Sequence, residues 1–244
     1  MYSFPQSAAM GSRHTAAIGL TTVFAPVIGG LYATVTGLTA LLTPLLGPLS
    51  AAAAIVLLTM GVRLLLHPLA RRQVAAERRR RELAPRLREL QRRHRRNPER
   101  LRREMAAFYK RERTSPLAGI GPALAQAPIF IAMYALFLSA DVGGHANDLL
   151  NHTLVSVPLG AGVFDVSGAS LVVFAALFAL LALVALATSR LASRHATPDA
   201  PAARLIRVLP YGTVAVAAFV PLAAGLYLLT TTAWTLAERI LLLR

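Results

Sequence analysis

SAAAAIVLLTMGVRLLLHPL, residues 50–69, is apolar along almost its whole length and long enough to cross a bilayer, which takes about 20 helical residues. It carries one permanent charge. Arg63 is the only side chain ionised at neutral pH between His14 and Arg71, and an arginine near the centre of a span costs roughly 2.5 to 3.5 kcal/mol on insertion scales. A residue that unfavourable is a functional candidate. The plainer reading is that Arg63 snorkels to the headgroups along its own aliphatic stem. Eight residues separate it from Arg71, which at 1.5 Å per residue puts it roughly 12 Å deeper on a straight helix. Thr59 and His67 lie one turn to either side, so Thr59, Arg63 and His67 form one polar stripe. Such a stripe on an apolar helix points to a wet cavity or a bundle interior.

The rest of the 244-residue chain is 55% hydrophobic, too apolar for a soluble domain of this size. Windows near 116–140, 169–190, 204–221 and 222–242 are also long enough to span, giving five crossings. No cysteine is present, which removes disulfides, thiolate chemistry and a lipid-anchoring cysteine. Of the net charge of +15, residues 71–113 hold +12, from 17 Arg and one Lys against six Glu. Arg190, Arg194, Arg204 and Arg207 face only Asp199, whereas 141–168 has three Asp and no Lys or Arg. The positive-inside rule therefore puts the arginine-rich segments in the cytoplasm, the 141–168 loop and the N-terminus outside, and the C-terminus inside.

The expected organisation is an N-terminal region 1–49, a first span 50–70, a basic hairpin 71–113, a second span 114–140 and an outer loop 141–168. A third span 169–190, a cytoplasmic loop 191–203, a fourth span 204–221 and a fifth span with the C-terminus, 222–244, follow. In the first region Ile28, Leu31, Val35, Leu38, Leu42 and Leu45 recur at helical steps, as in a helix lying in the outer interface; an additional span is the rival. Within 71–113, Leu83, Leu87 and Leu90 form one apolar stripe and Leu101, Met105 and Phe108 another. Asn97, Pro98 and Glu99 supply an N-cap, a first-turn proline and a first-turn acid, so the segment reads as a helical hairpin. Its arginine run Arg78, Arg79, Arg80 and Arg81 suits either anionic lipid or ribosomal RNA, and composition does not separate the two.

Enzymatic constellations are missing. The six histidines fall on both expected sides of the membrane without metal-ligand spacing, and no acid lies inside an expected span except Glu238. Neither a G-x-S-x-G motif nor a glycine-rich phosphate loop occurs. The expectation is a protein that is not an enzyme and needs no cofactor, metal or small-molecule substrate.

With these residues in view, the chain resembles the YidC/Oxa-type membrane protein insertases over nearly all of its length after residue 50. The match runs through Leu58-Thr59-Met60-Gly61-Val62-Arg63-Leu64, Pro68-Leu69, Ala84-Pro85, Leu90, Met105 and Phe108-Tyr109. It continues through Ser115-Pro116-Leu117-Ala118-Gly119, Pro122, Gln126, Pro128 and Ile129-Phe130, then Pro210, Pro221, Leu226-Tyr227 and Trp234-Thr235-Leu236. Departures are Ser115 in place of Asn, Ala223 where a glycine is expected with Gly225 displaced, and Glu238 in place of Gln.

The resemblance implies an all-α membrane protein of five transmembrane helices around a hydrophilic groove, open to cytoplasm and lipid and closed outside, above a cytoplasmic helical hairpin. It puts Arg63 and Thr59 in that groove, with Gln126, Tyr227 and Trp234 as substrate-facing positions. Those three also have plainer readings, as interface-belt or core aromatics and as a helix-bridging amide. The implied activity is insertion of nascent membrane proteins into a bacterial inner membrane. The ribosome and anionic lipids are implied partners, with a Sec-type translocon as a candidate one. The compact type, with no long extracytoplasmic domain ahead of the core, is the expected one. The rival from another class is a non-catalytic scaffold or small channel whose basic hairpin binds lipid or RNA.

Overall fold

The structure, a computed structural model, describes residues 7–115, 120–139, 141–142, 144–195 and 208–243. Helix α1, Ser7–Leu46, passes through a 3-10 turn, Gly47–Leu49, into α2, Ser50–Arg93. Then come α3, Pro98–Arg111, and α4, Ile120–Leu138. Two antiparallel hairpins pair β1, Asp141–Val142, with β2, His145–Ala146, and β3, Thr153–Leu154, with β4, Val157–Pro158. Helices α5, Leu171–His195, α6, Gly212–Ala217, and α7, Leu222–Leu243, complete the chain. Among the described residues Pro26–Arg93 and Gly168–Ser193 are long and apolar enough to cross a membrane, and Gln126–Leu138 is a shorter apolar helix. This architecture agrees with an all-α membrane protein.

The chain divides into two compact units, Met1–Gly61 with Phe130–Ala233, and Val62–Ile129 with Trp234–Arg244. In the first unit four threonines of α1 are satisfied by their own helix. Thr34, Thr36, Thr39 and Thr43 each donate a hydroxyl proton to the carbonyl four residues back, at 2.7–2.8 Å. That bond removes the hydroxyl's need for water. Gly47, at φ +51°, provides the left-handed residue that ends α1. The core gathers Ala51, Ala54, Ile55 and Leu58 of α2, Met133, Leu136 and Phe137 of α4, and the stripe Phe174, Leu177, Leu181 and Ala185 of α5.

The 141–168 loop is built into this unit by its backbone. Buried Asn147 donates from Nδ2 to the carbonyls of Leu136 and Ser139, both at 2.9 Å, which closes the end of α4. At the start of α7, the N–H groups of Leu222 and Ala223 donate to the Ala161 and Leu159 carbonyls at 2.9 and 2.8 Å. First-turn N–H groups have no partner inside their own helix, so the loop supplies the acceptors. Gly225 explains the displaced glycine: a Cβ there would stand 2.6 Å from Leu177 Cδ2.

The backbone adds detail at two of the expected segments. The backbone is continuous across 70/71, because α2 carries the first span straight into the hairpin with Pro68 and Pro85 inside the helix. Over the described part of the expected fourth span, Leu209–Tyr211 is a 3-10 turn and α6 is six residues long. Pro210 and Pro221 account for the interruption, since each lacks the N–H that a continuous helix needs.

In the second unit α3 folds back along α2. Asn97 caps α3, its Oδ1 accepting from the Arg100 N–H at 2.9 Å with Pro98 next in the first turn. Leu83 and Phe108 are buried, and Glu112, just past α3, accepts from Arg79 at 2.6 Å and Arg86 at 3.3 Å on α2.

Asn147→Ala is expected to lower stability by about 1–3 kcal/mol by leaving two buried carbonyls unpaired. Asn151→Ala, whose exposed amide reaches only Asp148 at 3.4 Å, is the matched control. Thermal unfolding of the two variants in nanodiscs measures the difference.

Candidate substrate-binding face and basic hairpin

Arg63 stands half-buried on α2, in the second unit. One turn further along, His67 Nδ1–H donates to Glu238 Oε1 of α7 at 2.7 Å. Glu238 is 7% exposed, while the His67 side chain keeps 35% of its surface. Further along both helices Arg78 donates to the Leu242 carbonyl. Moving forward on α2 thus corresponds to moving forward on α7, so these two segments run in the same direction.

The same unit contains Gln126 of α4 and Trp234 of α7. Gln126 is 5% exposed and its Nε2 is buried without a hydrogen-bond partner among the described residues. Trp234 Nε1 is in the same state. A buried unpaired N–H costs about 1–3 kcal/mol, so two in one unit call for an acceptor that the described residues do not supply there.

Thr59 and Tyr227 belong to the first unit, and each is used locally. Thr59 is 1% exposed and donates its hydroxyl to the Ile55 carbonyl at 2.7 Å. Tyr227 is buried, with its ring 5.8 Å from that of Phe137. Its ring is a core contact.

On the hairpin much of the arginine run is committed to neighbours. Arg78 holds the end of α7, Arg79 pairs with Glu82 and Glu112, and Arg81 pairs with Glu77 at 2.5 Å; Arg80 is exposed. Farther out, Pro85, Arg88, Gln91, Arg92, Arg95 and Leu101 line a cleft of about 790 Å³. The sequence reading passed over it because the arginines are dispersed rather than consecutive. Their signal is spacing, since 88, 92 and 95 share one helical face. Beside them Glu89 pairs with Arg92 and Arg93. Hydrogen bonding from Arg93, then the charge of Arg92, holds its carboxyl below the usual range. A lowered carboxyl contributes stability above its ordinary pKa that is lost as pH falls through the lowered one. Solvent screening keeps that contribution small.

Residues 41–244 match the 60Kd inner membrane protein family, and the chain belongs to that family. Over shorter stretches it is similar to bacterial proteins named membrane protein insertase YidC. The Helicobacter pylori protein is 37% identical over 87 residues, 36% of this chain and 16% of the relative. The Shewanella woodyi protein is 38% identical over 105 residues, 43% and 19% of the two chains, and the Pasteurella multocida protein 40% over 93, 38% and 17%. The matched stretch spans less than a fifth of the length of these relatives.

A double-mutant cycle on His67→Ala and Glu238→Ala, followed by thermal unfolding in nanodiscs, is expected to give a coupling of about 1.5–3 kcal/mol, the range for a hydrogen bond to a charged group. Additive losses would remove the contact from the stability of this unit.

Proposed function

We propose that this protein is a membrane protein insertase of the bacterial inner membrane, whose clients are nascent membrane proteins. The observation that carries this reading is the pair of buried, partnerless donors, Gln126 Nε2 and Trp234 Nε1, in the unit that also holds Arg63. Membership of a family with relatives named as insertases supports it. In this reading five crossings, with the N-terminus outside and the C-terminus inside, enclose a hydrophilic groove open to cytoplasm and lipid.

A polar flank entering hydrocarbon loses its water. Arg63, Gln126 and Trp234 replace that water for a time with hydrogen bonds to the flank's carbonyl and carboxylate oxygens. The apolar part of the client then leaves for lipid, driven by its own hydrophobic partition. No nucleotide, metal or small-molecule substrate enters the scheme.

The hairpin recruits the translating ribosome, with anionic lipid as a second contact and a Sec-type translocon as a cooperating partner. Its recruiting face is the Arg88, Arg92 and Arg95 cleft, where three arginines share one helical face.

Reconstituted insertion of a single-span client tests the reading. Arg63→Ala is expected to reduce insertion of a client with an acidic tail at least tenfold, the loss of about one charge-assisted hydrogen bond, with Arg63→Lys partly active. Full activity of Arg63→Ala with that client rules out the groove mechanism. If hairpin variants abolish function while Arg63→Ala is silent, the protein is a scaffold. In ribosome co-sedimentation, changing Arg88, Arg92 and Arg95 to Gln is expected to weaken binding more than changing Arg78–Arg81.

A further inference from the structure

We infer that the cleft at the far end of the basic hairpin is a binding site for a free nucleoside polyphosphate, and that its occupation keeps the ribosome off the hairpin. The binding stands on the cleft itself, while the regulatory consequence rests on the recruiting role proposed above. Pro85, Arg88, Gln91 and Arg92 come from α2, Arg95 from the turn that follows, and Leu101 from the start of α3. Arg88, Gln91 and Arg92 are three and four residues apart and share one face of α2. The turn is held at both ends. His94 N–H donates to the Leu90 carbonyl at 3.2 Å, Asn97 N–H to the His94 carbonyl at 3.0 Å, and the Asn97 side chain caps α3. The walls are thus set before a ligand arrives, and their volume of about 790 Å³ is in the range of small-molecule pockets.

Positive charge is in excess there. From Pro85 to Leu101 the chain has seven Arg against two Glu. Glu89 serves two guanidinium groups at once, Arg92 at 2.5 Å and Arg93 at 2.9 Å, so that trio stays net positive. Like charges one turn apart, as at Arg88 with Arg92 and Arg92 with Arg96, oppose the helix that holds them. A polyphosphate between Arg92 and Arg95 relieves that opposition, because its oxygens match the planar forks of the guanidinium groups.

The other walls go beyond what phosphate needs. Pro85 and Leu101 give apolar surface for the flat face of a base, and the Gln91 amide offers a donor and an acceptor to the edge of one. An RNA helix bound through its backbone uses none of the three. Single-stranded RNA favours aromatic platforms, yet Phe108 is buried and its ring meets that of Tyr109 edge to face at 5.8 Å. Seventeen residues of α2 separate Arg71, at the water-side end of the first span, from Arg88. That is roughly 25 Å of helix, over twice the screening length of about 8–10 Å, so the ligand comes from water rather than from lipid headgroups. It is not consumed. Ligand and ribosome both use Arg92 and Arg95, and each therefore excludes the other.

The full chain in nanodiscs of zwitterionic lipid is titrated calorimetrically with adenosine and guanosine triphosphates, inorganic tripolyphosphate and adenosine. Both triphosphates are expected to saturate one site about fivefold more tightly than tripolyphosphate, base contacts adding roughly one neutral hydrogen bond. Adenosine is expected not to bind. Arg95→Gln is expected to weaken the triphosphates about tenfold, one charge-assisted hydrogen bond, with Arg95→Lys in between. Gln91→Ala is expected to remove their advantage over tripolyphosphate. Both side chains are exposed, and thermal unfolding checks that the variants fold. Triphosphates that bind no better than tripolyphosphate, or that ignore these substitutions, overturn the inference and leave a basic surface only. Loss of nucleotide binding in nanodiscs of anionic lipid assigns the cleft to headgroups and overturns it as well. In ribosome co-sedimentation at fixed free magnesium, saturating triphosphate is expected to lower binding to the level of the variant with Arg88, Arg92 and Arg95 changed to Gln. Undiminished ribosome binding by the nucleotide-saturated protein overturns the regulatory half. Ribosomes that do not bind even without nucleotide count against the recruiting reading, while the titration still decides the site.

Discussion

In an apolar environment a hydrogen-bonding group must find its partner within the protein, and the described structure is organised around that constraint. Water is not at hand to satisfy an exposed N–H or hydroxyl in hydrocarbon. Thr34, Thr36, Thr39 and Thr43 of α1, with Thr59, Thr188, Thr230 and Thr232, turn their hydroxyls back onto carbonyls of their own helices. Helices can therefore carry threonine and remain compatible with lipid. The loop between α4 and α5 applies the same rule at helix ends, where Asn147 closes α4 and two loop carbonyls close α7.

Against that background the unsatisfied groups are informative. Only Gln126 Nε2, Asn147 Oδ1 and Trp234 Nε1 are buried without a partner among the described residues. Asn147 has already placed both its donor bonds, and an amide oxygen left over at a loop is a modest cost. The other two are donors, and both belong to the unit that holds Arg63. A fold that satisfies hydroxyl after hydroxyl locally, yet leaves two N–H groups unpaired in one unit, stores an unmet demand for acceptors. That demand is the physical basis of the insertase proposal.

How much of this was legible in the sequence depended on the range of the interaction concerned. Asn97, Pro98 and Glu99 announce a helix start because a cap is settled within four residues, and the structure has that cap. The Thr59, Arg63 and His67 stripe follows from helical spacing alone, but the three residues then have different fates, since Thr59 is spent on Ile55 and His67 on Glu238. The His67–Glu238 pair joins residues 171 apart, so no periodicity reveals it. Consecutive arginines at 78–81 drew attention by density, whereas the cleft depends on Arg88, Arg92 and Arg95 facing the same way. Tyr227 was ambiguous between core and substrate contact because both readings require the same helical face; its burial against Phe137 places its ring in the core.

In the proposed insertase, a donor-rich face also limits how tightly a client is held. Each charge-assisted hydrogen bond contributes about 1.5–3 kcal/mol. Two or three of them are enough to hold a short polar flank out of hydrocarbon. They are few compared with the apolar surface of a span of about 20 residues, whose transfer to lipid brings a favourable contribution from each Leu, Ile, Phe or Val. In the proposed scheme the apolar part of a client therefore outcompetes the face for its own flank, and release needs no external energy. A face with its own acceptors would bind basic flanks as well and would saturate its donors internally.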